Sequence, residues 1–261
     1  MKCHTTLCIA ICTLLTANYS YSQSNSSMKG AYSLTRQMVN DGNKDSVMQI
    51  QQLKIYTDKY MIYAHPLSGD SLADYGIGTY KLENGKVLEY VFYTSTGGAH
   101  NDTIKLDITK KGNGYSQLIN FPSDSGRTFI LVEDYDNVSK SVKTPIDGAW
   151  KQTQSIYVPK NGKADTSKIT QFKVYESGHF IWANTVNDSA TNKPKSAFGY
   201  GTFEMKGNKQ LVELNTNSTY RTDLVQKPAT LQIDWQGKDA FKQTIIWPNG
   251  DKLIEQYDRL K

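Results

Sequence analysis

The sequence predicts an all-β protein built of two tandem antiparallel barrels of about eight strands each. Three observations carry this. The stretch Gly199-Tyr200-Gly201-Thr202-Phe203 recurs, little changed, as Gly76-Ile77-Gly78-Thr79-Tyr80. Short runs rich in Tyr, Ile, Val, Thr and Phe are broken by pairs such as Asn84-Gly85, Asn161-Gly162 and Asn249-Gly250, which supply the positive φ of tight hairpins. No stretch holds a helical period over three turns, and the prolines fall between the apolar runs, because proline cannot donate to a strand ladder.

The first residues predict an export signal over residues 1–22. Lys2 gives a positive start, Leu7 to Ala17 an apolar run, and Ser20-Tyr21-Ser22 small residues for cleavage before Gln23. The run is far shorter than the ~20 residues of a membrane span, so no transmembrane segment is expected once the signal is removed. A lipoprotein signal around Cys12 is the weaker alternative, since Ile11 stands where such a signal wants a small residue. The expected location is secreted or periplasmic. All three cysteines, Cys3, Cys8 and Cys12, lie within the signal. An exported chain without cysteine must hold together by its core alone.

Residues 23–29 read as a polar leader. The first barrel is expected over 30–138, a short linker over 139–147 and the second barrel over 148–261. Removing Lys2 from the 30 basic residues leaves a small excess over the 25 acidic ones. This excess forms no run of Lys and Arg, so no nucleic-acid partner is expected.

Further blocks match between the copies in one order. Gly30-Ala31-Tyr32 answers Gly148-Ala149-Trp150, and Leu53-Lys54-Ile55-Tyr56 answers Phe172-Lys173-Val174-Tyr175. Tyr60 to Ala64 answers His179 to Ala183, Ile104 to Ile108 answers Leu231 to Trp235, and Leu131 to Asp136 answers Leu253 to Asp258. In the second copy the runs predict strands near Ala149–Val158, Ile169–Tyr175, His179–Thr185, Ala197–Met205, Gln210–Thr216, Thr230–Trp235, Ala240–Ile246 and Lys252–Tyr257. A mid-strand Gly-x-Gly lets a strand bend or another backbone approach. As a dinucleotide fingerprint it lacks the third glycine and the helix.

The Gly-x-Trp that opens the second copy, its run of strands, and Arg259 near its end together resemble the lipocalin and calycin pattern. Phe-Lys-Val-Tyr, His-Phe-Ile-Trp, Gly-Tyr-Gly-Thr-Phe and Glu213 resemble more closely the lipocalin-like domain of unknown function found in secreted bacterial proteins. The resemblance implies that Trp150 closes the barrel bottom with Arg259 stacked across it. The first copy departs from it, with Tyr32 for the Trp and Asn137 for the Arg.

His65, His100 and His179 lack metal-ligand spacing, the mature chain has no cysteine nucleophile, and no Gly-x-Ser-x-Gly elbow is present. No catalytic residue, metal or cofactor is expected. Glu89 and Glu213, with Asp107 and Asp234 one strand later, could serve acid–base chemistry inside a barrel, but the rarity of buried carboxylates favours the solvated outer face. The aromatics are the better lead. Tyr63, Trp182, Tyr200 and Trp235 could line a cup for a small, partly apolar ligand, with the second barrel offering more aromatic wall. The copies diverge most between His65 and Tyr75 against Asn184 and Phe198, where binding loops of a rigid scaffold belong.

A non-enzymatic binding protein is therefore the first expectation. A cell-envelope or surface interaction protein with filled barrels is the second, and a carboxylate-based enzyme trails. Asp45-Ser46-Val47, Asp70-Ser71-Leu72, Asp102-Thr103-Ile104 and Asp188-Ser189-Ala190 also resemble acceptors for bacterial O-glycosylation.

Overall fold

The computed structural model describes residues 27–261 apart from 68–72, 123–127, 168, 189–190, 192 and 221. The expected signal, part of the expected leader, the Asp70 triplet, and Ser189 and Ala190 of the Asp188 triplet lie outside the described residues. The first half contributes β1 (Gly30–Asn40), β2 (Asp45–Met48), β3 (Leu53–Tyr56), β4 (Tyr60–Pro66), β5 (Ala73–Glu83), β6 (Lys86–Thr94), β7 (Ala99–Lys111), β8 (Gly114–Pro122) and β9 (Thr128–Asn137). The second contributes β10 (Gly148–Val158), β11 (Asp165–Ser167), β12 (Thr170–Glu176), β13 (His179–Asn187), β14 (Pro194–Lys206), β15 (Gln210–Ser218), β16 (Pro228–Trp235), β17 (Ala240–Ile246) and β18 (Lys252–Arg259).

Each half is an antiparallel meander closed by its first strand on its last, β1 on β9 and β10 on β18. The first half of β1 pairs with β3 and its second half with β2, so β2 extends the ring without adding to it. Two closed eight-stranded barrels result, and β10 repeats the arrangement with β12 and β11. A bulge between Leu34 and Arg36 bends β1 across this junction, as one between Gln152 and Gln154 bends β10.

The glycine pairs act as bend points. Register shifts fall between Ile77 and Gly78 and between Tyr200 and Gly201, and a Cβ on Gly78 or Gly201 would collide with the carbonyl of Tyr90 or Leu214. The other glycine of each pair sits under a ring: a Cβ on Gly76 would stand 2.7 Å from Tyr63, and one on Gly199 would strike Trp182.

One expected match fails in register. Glu89 pairs with Ile104, and its counterpart Glu213 pairs with Ala229. Asp107 therefore corresponds to Gln232 rather than to Asp234. The offset is two residues, which preserves every facing in a strand, so alternation cannot detect it.

The barrels share a core. Leu53, Ile55, Ile62, Tyr75 and Ile77 on the outside of β3–β5 pack with Phe172, Val174, Ile181, Phe198 and Tyr200 on the outside of β12–β14. The two halves thus meet through the same face of the repeat. Tyr75 bonds Thr185 at 2.7 Å across this contact, and the linker is fastened to both barrels, with the Ser139 hydroxyl accepting from Ala31 N–H and Lys140 N–H donating to the Ser177 carbonyl. Thermal unfolding of the two-barrel chain should therefore be a single transition. Ile181→Ala, which removes atoms from a fully buried site, should cost ~2–5 kcal/mol and lower that transition as a whole. Two separated calorimetric peaks would contradict the shared core.

Candidate ligand-binding site

The outward apolar faces of β3 and β12 decide what the barrels contain. Leu53 and Ile55 face the other barrel, so the alternation of a strand turns Lys54 and Tyr56 inward. Lys173 and Tyr175 follow by the same rule. A lysine enclosed by a barrel needs a paired charge, and the next meander strands supply it.

Lys54 Nζ lies 2.7 Å from Glu89 Oε1, with both side chains about 3% exposed. In the second barrel Lys173 Nζ lies 2.9 Å from Glu213 Oε1. Glu89 and Glu213 are therefore inside, contrary to the solvated placement the sequence favoured. The general rarity of buried carboxylates does not hold where a lysine faces them. Asp107 and Asp234 do lie on the outer side, paired with Lys86 and Lys242.

The networks extend in parallel. Tyr56 donates to Glu89 and Tyr175 to Glu213, each at 2.5 Å. Burial and the adjacent carboxylate hold both phenols well above their ordinary range, which keeps the donor protons in place. Lys54 also reaches Gln117 Oε1 at 3.3 Å, as Lys173 reaches Gln243 Oε1. The amide of Gln117 donates to Glu133, and that of Gln243 to Glu255. The remaining donor comes from non-equivalent positions: Gln37 donates to Glu133 at 2.7 Å and Gln152 to Glu255 at 2.6 Å.

A cavity of about 150 Å³ lies at the open end of the first barrel. Its polar wall is this network: Gln37, Gln52, Lys54, Glu89, Gln117 and Glu133. Tyr63, Ile104, Ile119, Phe121, Leu131 and Tyr135 form its apolar wall, and His65 and Asp74 stand at its rim. His65 Nε2 lies 3.2 Å from Asp74 Oδ2, and Ser95 donates to Asp74 Oδ1 at 2.8 Å.

The second barrel has Trp182 where the first has Tyr63, Asn184 for His65 and Ala197 for Asp74, as the strand registers show. Asn184 donates to Gln171 at 3.0 Å, and Gln171 donates to Glu255, also at 3.0 Å. These side chains turn toward one another rather than to an open space.

The four aromatics named from sequence do not share one cup. Tyr63 lines the first-barrel cavity. Trp182 packs inside the second barrel, over Gly199. Tyr200 faces out of its barrel into the shared core, stacked on Phe198 at 5.4 Å. Trp235 sits at the closed end, 6.3 Å from Trp150, its indole donating to Asn208 O at 2.8 Å. A larger recess of about 400 Å³ adjoins Trp235, Lys238 and Arg259 but opens broadly to solvent. Arg259 spends donors there on the carbonyls of Asp147 and Pro145, so the less open first-barrel cavity, with its two contrasting walls, is the better-built site. Sequence reasoning reached His65 and Asp74 only as part of a divergent loop and missed the Lys–Glu–Gln network. The signal for the network was present: Lys, Glu and Gln recur at matching strand positions in both copies.

The histidines should titrate in opposite directions. Burial alone would lower His65, but its bonds to Asp74 and the Pro66 carbonyl, with the Asp74 charge, outweigh that and raise it. Burial holds His179 below the ordinary ~6.5, helped by Lys140 and opposed by its bond to Ser177 O. The His65 contribution to stability is therefore present below pH ~6.5 and fades as pH rises through its raised folded value. Stability is lost at His179 as pH falls through ~6.5. NMR titration of the ring protons should place the His65 midpoint above that of His179, and the reverse order would contradict the geometry.

No protein-family model matches the chain, and no curated protein matches it. Solved structures similar to it include a redesigned beta barrel, 14% identical, aligned over 47% of this chain and 100% of that one with a TM-score of 0.29. They also include a protein of unknown function from the DUF3598 family of Nostoc punctiforme, 12% identical, aligned over 89% of this chain and 96% of that one with a TM-score of 0.26. The fold assignment rests on the strand pairing itself, which closes two eight-stranded antiparallel barrels in one chain.

Proposed function

We propose that this chain is an exported, non-enzymatic binding protein that holds one small, partly apolar molecule in its first barrel. The observation that carries the reading is the first-barrel cavity, with a hydrogen-bonding wall facing an apolar one, the usual composition of a small-molecule site. Its volume of about 150 Å³ suits a ligand of about six to ten heavy atoms, since a space of that size takes a benzene ring. Export is supported by the charged start, apolar run and small cleavage residues of the first 22 positions.

An acid–base enzyme is the weaker reading, because the buried carboxylates are already engaged. Glu89 is held by Lys54 and Tyr56, and Glu133 by Gln37, Gln117 and Tyr135. A surface interaction role for the second barrel is favoured by its inward side chains, which bond one another. That role is compatible with binding in the first.

Screening fragments of up to about ten heavy atoms against the mature, isotope-labelled chain by NMR tests the proposal. Shifts should gather at Gln37, Gln52, His65, Asp74, Gln117 and Glu133. Fragments that shift only the second barrel would overturn the assignment.

A further inference from the structure

The charges around the first-barrel cavity do not cancel. Five charge-bearing side chains line it: Lys54, His65, Asp74, Glu89 and Glu133. Lys54 is spent on Glu89 at 2.7 Å, and His65 on Asp74 at 3.2 Å. Glu133 is only 5% exposed, and its bonds come from the neutral donors Gln37, Gln117 and Tyr135. None of these donors brings a counter-charge to the carboxylate. The lining thus carries one net negative charge with His65 protonated and two with it neutral. A buried charge without a counter-charge is costly, and proteins pair such charges or ligate metals with them. Among the described residues no three of His, Cys, Asp and Glu converge as metal ligands, and the facing wall is aromatic and aliphatic.

We infer that the first-barrel cavity is a site for a small organic ammonium compound, its charged head toward Glu133 and its apolar or aromatic body against Tyr63, Ile104 and Phe121. This rests on the binding reading above and adds the charge of the ligand to it. Tyr135, bonded to Glu133 at 2.9 Å, and Tyr63 offer ring surface beside that head, and cations are attracted to such faces. The second barrel carries the equivalent carboxylate, Glu255, but one of its donors is Gln171, whose first-barrel counterpart Gln52 bonds Tyr135 instead of Glu133. Gln152, Gln171 and Gln243 bond it, and Asn184 caps Gln171. One ammonium per chain is therefore expected, although the buried carboxylate is duplicated.

Isothermal titration of the full mature chain at neutral pH with benzylamine, benzyl alcohol and benzoate tests this, since the three share a ring and differ in charge. Benzylamine should bind one per chain and at least tenfold more tightly than benzyl alcohol, with benzoate weakest. Glu133→Gln should erase the preference for the amine, and Glu255→Gln should leave it intact. Because Glu133→Gln could disturb folding, the ranking of the three probes on the unaltered chain stands as a separate arm. Benzyl alcohol binding as tightly as benzylamine, or benzoate binding best, overturns the cation assignment while leaving the cavity a binding site. An amine preference lost in Glu255→Gln and kept in Glu133→Gln places the cation elsewhere and overturns it too. If none of the three binds, and no fragment shifts the cavity amides, the binding reading itself fails.

Discussion

Lys173→Met should destabilise the protein by about 3–5 kcal/mol, because it strands Glu213 inside the second barrel without its counter-charge. Both side chains are nearly inaccessible, at 4% and 6% exposure, so water cannot replace the lysine. Methionine is close to the lysine stem in shape, which confines the loss to the charge. Adding Glu213→Gln should recover most of it, since the amide oxygen can still accept from Tyr175 and a buried pair is often replaceable by neutral groups at little cost. Chemical denaturation of the wild type, the two single variants and the double variant closes the cycle. A Lys173→Met loss below about 1 kcal/mol, the range of exposed pairs, would contradict the enclosed geometry.

Trp150→Ala should cost ~3–5 kcal/mol, the range for a large buried aromatic. Trp150 is fully buried, its indole donates to Ile146 O at 2.8 Å, and Phe241 meets it edge-on at 4.7 Å. The Arg259 guanidinium lies 4.0 Å from the ring centroid, which is the stacking the lipocalin resemblance implied. The first barrel has Tyr32 opposite Asn137 at this place, so Tyr32→Ala should lose less, by about the 1–2 kcal/mol of the missing cation–π contact. The comparison belongs in the full chain, because separating the barrels would expose Ile55, Ile62, Val174 and Ile181 of the shared core. Equal losses at Trp150 and Tyr32 would show that the two closed ends are equivalent after all.

Much of the architecture was legible because it depends on local chemistry and repetition. Turn pairs mark the hairpins, the Gly-x-Gly pair marks the bend, and Trp150 with Arg259 marks the closed end. The interior was not legible, since period-two alternation separates two faces of a strand without saying which is inside. On β3 and β12 both faces are buried: Leu53 and Ile55 against the neighbouring barrel, Lys54 and Tyr56 within their own. Assigning Glu89 and Glu213 to solvent followed from the general rarity of buried carboxylates, which the enclosed partners Lys54 and Lys173 override. The site was harder still. Tyr63 and Trp182 occupy matching positions, yet His65, Asp74 and Ile104 line the first-barrel cavity where the second barrel has Asn184, Ala197 and Ala229. Such exchanges alter volume and charge while leaving the strand pattern unchanged.

Native mass spectrometry of the protein purified from its own source tests most directly whether the first barrel holds a ligand. One small molecule per chain is expected, and it should be absent from an Ile104→Trp variant, whose larger ring projects into the cavity, while the variant keeps its thermal transition. Two molecules per chain, or one that survives Ile104→Trp, would place binding outside the first barrel and contradict the assignment.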